Sequence, residues 1–321
     1  MGASGRAPLI RRGRAIHPLA AVTRTPRLAA VLGALAIAFS GIFYVWSDVS
    51  PSTGVFFRCL YGLPILILVA GGEWRALGPM SRRTVGLCVL AGLCFAVDLI
   101  TFHYAVDVIG AGLGTVMGNV QVVIVALVAW AAFGERPRRE VLVALPLMLL
   151  GVFLISGVVG SGAYGADPKL GVTIGLLTAA SYAGYLLIIR RASPDHRPAG
   201  PVAIATGVTA LVALAFGEAV GDIDLAPSLP AHAYLLALGI LSQSIGYLLI
   251  QASLPKLPAV ITSVLLLVQP VTTMLLGAIL LAELPSPFQL AGVLLVLVGI
   301  ALATGALRRV RMVRSRAGGA A

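Results

Sequence analysis

Apolar residues run through this chain in long blocks, not in the one-sided stripes of a soluble amphipathic helix. Ten blocks stand out, at roughly 28–46, 51–71, 83–105, 109–133, 139–158, 169–189, 200–218, 232–250, 259–281 and 287–306. A helix needs about 20 apolar residues to cross the hydrocarbon core of a bilayer, and each block meets that length. Turn formers and charges punctuate the blocks, as at Ser47-Asp48, Gly72-Glu73-Trp74-Arg75, Glu135-Arg136-Pro137, Ser193-Pro194-Asp195 and Glu283-Leu284-Pro285. The pattern predicts an all-α integral membrane protein with ten transmembrane helices.

Composition narrows the class further. Hydrophobic residues make up 59% of the 321 and charged residues 11%, against about 25% charged in a soluble domain. A soluble enzyme, a disordered tail protein and a disulfide scaffold are excluded. The net charge of +11 raises nucleic acid as a partner, but the placement of the charges excludes it. With the N-terminus inside, 21 of the 23 basic residues fall on segments facing the cytoplasm, including the tails. Outside segments carry Asp48, Asp107, Asp167, Asp222 and Asp224 instead. That is the positive-inside asymmetry of a multi-pass protein; a wrong number of spans would scramble it. Both termini are thus expected in the cytoplasm of a protein of the cell membrane. Residues 1–27 form a basic arm and 307–321 a basic tail. Cys59, Cys88 and Cys94 lie within apolar blocks and show no metal-site spacing.

Sliding the sequence by 148 residues lays 119–137 on 267–285 without a gap. Gln121 then meets Gln269, Glu135 meets Glu283, Pro137 meets Pro285 and, further on, Gly151 meets Gly299. The copies are five spans apart, so the halves, 28–158 and 169–306, cross the membrane in opposite senses. Inverted repeats of this kind belong to secondary transporters, with the site near the midplane between the halves. Ten helices, paired five-helix repeats, FFRCLYGLP on the second span and Gln…(Gly/Ala)-Glu-x-Pro closing the fourth and ninth make the chain resemble the EamA family of the drug/metabolite transporter superfamily. The resemblance implies export of amino acids, metabolites or drugs through a central cavity lined by spans 1, 3, 4, 6, 8 and 9. One departure is visible: Arg58, in the second span, has no basic counterpart in the seventh.

Candidate chemistry lies where polar side chains fall inside the blocks. A charge at bilayer depth is expensive and faces the interior. At 1.5 Å per residue, Arg58 lies about 10 Å and Asp98 about 13 Å below the outer boundary. Matching depths allow two readings, an Arg58–Asp98 ion pair between helices or two cavity groups, with Asp98 carrying a proton and Arg58 binding a carboxylate. His103, near neutrality in its ordinary titration, is a candidate relay or a buried neutral ring. Asn119 and Gln121 on span 4, and Gln269 on span 9, are candidates for interhelical bonding or substrate binding. Tyr182 and Tyr185 on span 6 and Gln243 and Tyr247 on span 8 offer apolar faces with polar handles. Tyr44 on span 1 belongs either to that cavity set or to the interfacial aromatic belt. Gly110, Gly114 and Gly118, four apart, suggest close helix packing. Glu135 and Glu283, each before a Pro, read as caps of the helices that follow them.

No phosphate-binding loop, zincin motif or nucleophile elbow is present in the sequence, and no cofactor is expected. The reading is a non-enzymatic secondary exporter of amino acid-like or amphipathic metabolites by alternating access, driven by proton antiport or by the substrate's own gradient. Uptake or facilitated exchange on the same fold is the alternative, and a lipid-modifying membrane enzyme a more remote one. Expected partners are the small-molecule substrate, the lipid bilayer and protons.

Overall fold

Burying backbone amides in lipid forces the chain into helices. A computed structural model describes residues 25–133, 139–157, 159, 162–192, 197–253 and 268–303; the basic arm up to residue 24, the basic tail and Glu135 lie outside them. Among the described residues there are helices and turns and no strand. Six helices are long and apolar enough to cross a membrane, and two shorter apolar helices, Val268–Leu280 and Pro287–Leu302, accompany them.

The first block is two helices, α1 (Pro26–Ala38) and α2 (Ser40–Ser47), meeting at Phe39. α3 (Pro51–Leu77) is longer than its block, so Glu73 sits within the helix and not in a break. α4 (Arg82–Gly118) carries the third block into the fourth through a single turn at Gly110, whose φ of 84° and ψ of 165° leave the helical region. Only glycine adopts that geometry cheaply. Gly110 is therefore a corner and not the start of a packing stripe. α5 (Gln121–Phe133) follows after a second interruption, where the Asn119 side chain bonds back to the Thr115 carbonyl at 2.8 Å. α6 (Arg139–Ile155) closes the first half.

The second half runs α7 (Pro168–Ala192), α8 (Ala199–Val220) and α9 (Leu229–Ala237), then a π-helical stretch over Leu238–Gly246 and α10 (Tyr247–Ser253). α11 (Val268–Leu280) and α12 (Pro287–Ala303) complete it. Ser81 and Ser228 cap α4 and α9 by accepting from the third residue onward. Ser286 and Gln289 form a reciprocal capping box at α12, backbone N–H to side-chain oxygen in both directions.

The helices pair across the halves. α3 lies along α8, α4 along α7, α6 along α12, and α1 along the π stretch and α10. In span numbers these are 2 with 7, 3 with 6, 5 with 10 and 1 with 8, a set that maps onto itself when five is added or removed. One contact shows the symmetry at atomic scale. A Cβ on Gly151 would stand 2.7 Å from the Gly292 carbonyl, and one on Gly299 would stand 3.4 Å from the Ala144 carbonyl. Residues 144 and 292 are 148 apart, as are 151 and 299, so one backbone approach is used twice.

Candidate functional site

Three interruptions converge on the middle of the bundle. The α1–α2 joint, the break after α4 and the π stretch all expose or displace polar groups there. Between them lies a small cavity of about 60 Å³, room for a few waters. Its walls carry Ser40, Arg58, Asp98, Thr115, Asn119, Thr178, Tyr182, Tyr247 and Gln269 against Ile37, Leu99 and Phe102.

Arg58 is 2% exposed. Its Nε donates to Gln243 Oε1 at 2.8 Å and its Nη1 to Ser40 Oγ at 2.8 Å. Gln243 passes the chain on, its Nε2 donating to Thr206 Oγ1 at 2.9 Å. The guanidinium is thus held by neutral partners from α2 and the π stretch, the second of them braced in turn by α8. Nη2 has no hydrogen bond among the described residues. The π stretch makes this possible. Gly62 and Gly239 let α3 approach so closely that a Cβ on Gly239 would stand 2.9 Å from the Arg58 carbonyl. Asp98 is 5% exposed and lines the same cavity. Its carboxylate accepts no hydrogen bond, and no ion pair within 4.0 Å joins it to Arg58, among the described residues. Of the two readings of this pair, a direct salt bridge is not what the geometry displays.

Six of the eleven candidates line the cavity: Arg58, Asp98, Asn119, Tyr182, Tyr247 and Gln269. Gln243 stands behind Arg58. Tyr185 is fully buried, stacked on Phe95 with ring centroids 4.5 Å apart and on Tyr182 at 5.8 Å, so it supports the wall from behind. Gln121 is buried at the start of α5, outside the cavity lining. His103 is wholly buried, its Nδ1 against the Leu99 carbonyl at 2.7 Å and its Nε2 without a partner. Tyr44 is 1% exposed, not in an interfacial belt, and donates to Asp107 Oδ2 at 3.0 Å. Thr206, Thr178 and Phe102 went unread in the sequence: isolated in apolar runs, they become legible only with the helix pairing known.

A second, larger cavity of about 800 Å³ opens at the end of the bundle that carries the acids. Tyr44, Asp48, Asp107, Tyr164 and Glu283 are on its walls. Glu283 does cap a helix, but not the one that follows it. Its two oxygens accept from Ala111 N at 2.6 Å and Gly112 N at 2.9 Å, the first free amides after the Gly110 corner. Burial pushes the Glu283 carboxyl up from its usual range against the downward pull of those two donors. Burial and the nearby Glu283 charge push the Tyr164 hydroxyl up. At the opposite end Glu73, 2% exposed, accepts from Ala199 N at 2.9 Å and Gly200 N at 2.8 Å. Arg197 answers it by donating to the Gly78 and Leu77 carbonyls at the end of α3. Among the described residues no group of three His, Cys, Asp or Glu side chains is arranged to hold a metal ion.

Arg58 and Asp98 thus bring opposite charges, not bonded to each other, to a joint between the paired halves. The EamA-like transporter family matches residues 25–157 and again 169–305. The chain belongs to the EamA-like transporter family. It is a multi-pass membrane protein of that family, and among its EamA relatives is one from Bacillus subtilis named an uncharacterized transporter, YwfM. The two are 28% identical over 226 residues, 70% of this chain and 74% of the relative. The pseudopaline exporter CntI of Pseudomonas aeruginosa is 27% identical over 249 residues, 77% of this chain and 84% of that one. A solved structure titled only as a protein crystal structure superposes with a TM-score of 0.60 at 18% identity. It covers 87% of this chain and 98% of the other, and the likeness is one of fold.

Proposed function

We propose that this EamA protein is a secondary exporter of small zwitterionic, amino acid-like metabolites, working by alternating access around the central cavity, with both termini in the cytoplasm. One observation carries the reading: Arg58 and Asp98 face one cavity as opposite charges that are not bonded to each other. A carboxylate on the substrate satisfies the Arg58 Nη2, which has no hydrogen bond among the described residues, and an ammonium satisfies Asp98. Tyr182 and Tyr247 give an aliphatic or aromatic body somewhere to lie. The cavity is far smaller than such a substrate, so loading requires the paired halves to part, as alternating access demands. When the seat is empty, a proton on Asp98 replaces the ammonium, which couples proton entry to substrate exit. The exporter name of CntI agrees with the direction.

Flux in inverted membrane vesicles under an imposed pH gradient tests this, with amino acids and their decarboxylated amines as substrates. The expected result is gradient-driven accumulation of the zwitterion, lost in Asp98→Asn protein that still folds. Accumulation that ignores the gradient and survives the substitution would demote Asp98 to a structural role. Accumulation only in right-side-out vesicles would establish the uptake reading.

A further inference from the structure

The two cavities meet at a thin partition. On the first span, Ile37 and Ser40 line the central cavity, while Tyr44, one turn on, lines the acid-end vestibule. On α4, Asp98, Leu99 and Phe102 line the centre, while Val106 and Asp107 line the vestibule. The boundary therefore passes between Ser40 and Tyr44 on one helix and between Phe102 and Val106 on the other. Buried apolar residues fill it: Ile42, Val106 and Ala111, with Tyr44 among them. Gly41 and Ala111 touch so closely that a Cβ on Gly41 would stand 2.7 Å from that of Ala111. Tyr44 spans the partition. Its ring sits edge-on against His103 at 4.2 Å between centroids, and its hydroxyl emerges at Asp107.

We propose that Tyr44 and Asp107 form the outer gate of the central cavity, and that a proton arriving on Asp107 from outside is what releases it. The hydrogen bond ties α2 to α4, the two elements that must part for the central cavity to join the vestibule. An ionised carboxylate accepts roughly twice as strongly as a neutral one, so protonation weakens the tie where outside water reaches it. Asp48 and Glu283 share the vestibule with Asp107, as does Tyr164, and His103 with Arg58 beyond it lies inward of Tyr44. Three residues before Asp107 on the same face of α4, Tyr104 donates to Asp222, 2.6 Å away, and this second hydroxyl–carboxylate pair is near enough to act electrostatically on Tyr44 and Asp107. Tyr44 is thereby a positioning residue and Asp107 the pH-responsive one.

The inference rests on the alternating-access reading but is tested without substrate. Thr115, on the central wall, is replaced by Cys in protein whose Cys59, Cys88 and Cys94 are Ala. Right-side-out vesicles are then labelled with a membrane-impermeant methanethiosulfonate between pH 8 and pH 5.5. Acid slows thiolate chemistry at any cysteine, so rates are normalised to Leu229→Cys, at an exposed site outside the cavities. The expected outcome is a normalised rate that rises severalfold on acidification. Adding Tyr44→Phe brings the pH 8 rate up to the acid level, and adding Asp107→Asn removes the pH dependence. A normalised rate flat across pH, or a dependence that survives Asp107→Asn, overturns the proposal. Absence of flux with any substrate, alongside pH-gated labelling, would overturn the exporter reading and leave the gate standing.

Discussion

A buried guanidinium held by an amide and a hydroxyl, with one nitrogen unsatisfied among the described residues, is an unusual expense in a bilayer. It is best understood as half of a seat. A hydrogen bond to a charged group is worth about 1.5–3 kcal/mol. Arg58→Gln is therefore expected to weaken binding of a carboxylate-bearing substrate by about 10- to 100-fold while leaving its decarboxylated amine nearly untouched. Asp98→Asn should weaken the amino acid and its amine alike, since both carry the ammonium, and competition binding in detergent reads both variants. Gln243→Leu leaves Arg58 Nε and Thr206 without partners. It should destabilise the protein by about 1–3 kcal/mol, visible as a lower melting temperature with or without ligand. Arg58 and Asp98 were legible in the sequence because depth follows from counting residues along a helix. Gln243, which holds Arg58, stands four residues before Tyr247, a spacing that in a regular α-helix would put the two on one face. The π stretch of Leu238–Gly246 breaks that spacing, and nothing in the local composition announces it.

At the scale of elements, two carboxylates reach across the halves to close helix N-termini: Glu283 onto α4 after its corner, Glu73 onto α8. Each satisfies two amides that would otherwise be buried unpaired. Glu283→Ala and Glu73→Ala should each cost about 1–2 kcal/mol, adding in the double variant because the sites lie at opposite ends of the bundle. Thermal unfolding of the four proteins checks this. Local caps such as Ser81 and Ser228 can be read from three residues of sequence. A cap supplied from over a hundred residues away cannot, which is why Glu73 looked like part of a turn and Glu283 like the cap of its own neighbour. The Gly110 corner was hidden for a related reason. A regular Gly spacing of four suggests a packing stripe, and only the backbone angle distinguishes a corner from it.

For the whole molecule, charge asymmetry and the 148-residue offset made the membrane class and the repeat readable, since both accumulate over many residues. Reporter fusions at each end should place both termini in the cytoplasm, and moving the inner Arg pair Arg82-Arg83 to the Asp222–Asp224 segment should disturb that topology. The partners of each helix were not readable, because lipid-facing and helix-facing apolar surfaces have the same composition. Once those partners are known, they bear on how the chain is assembled. Each of the principal pairings joins a helix of one half to a helix of the other, so neither half holds its own interior. Severing the covalent link after Gly162, between α6 and α7, should therefore be tolerated. The two fragments made together are expected to assemble into one active particle, while either made alone should be degraded. Seen in this light the molecule is a heterodimer whose subunits happen to share a peptide bond.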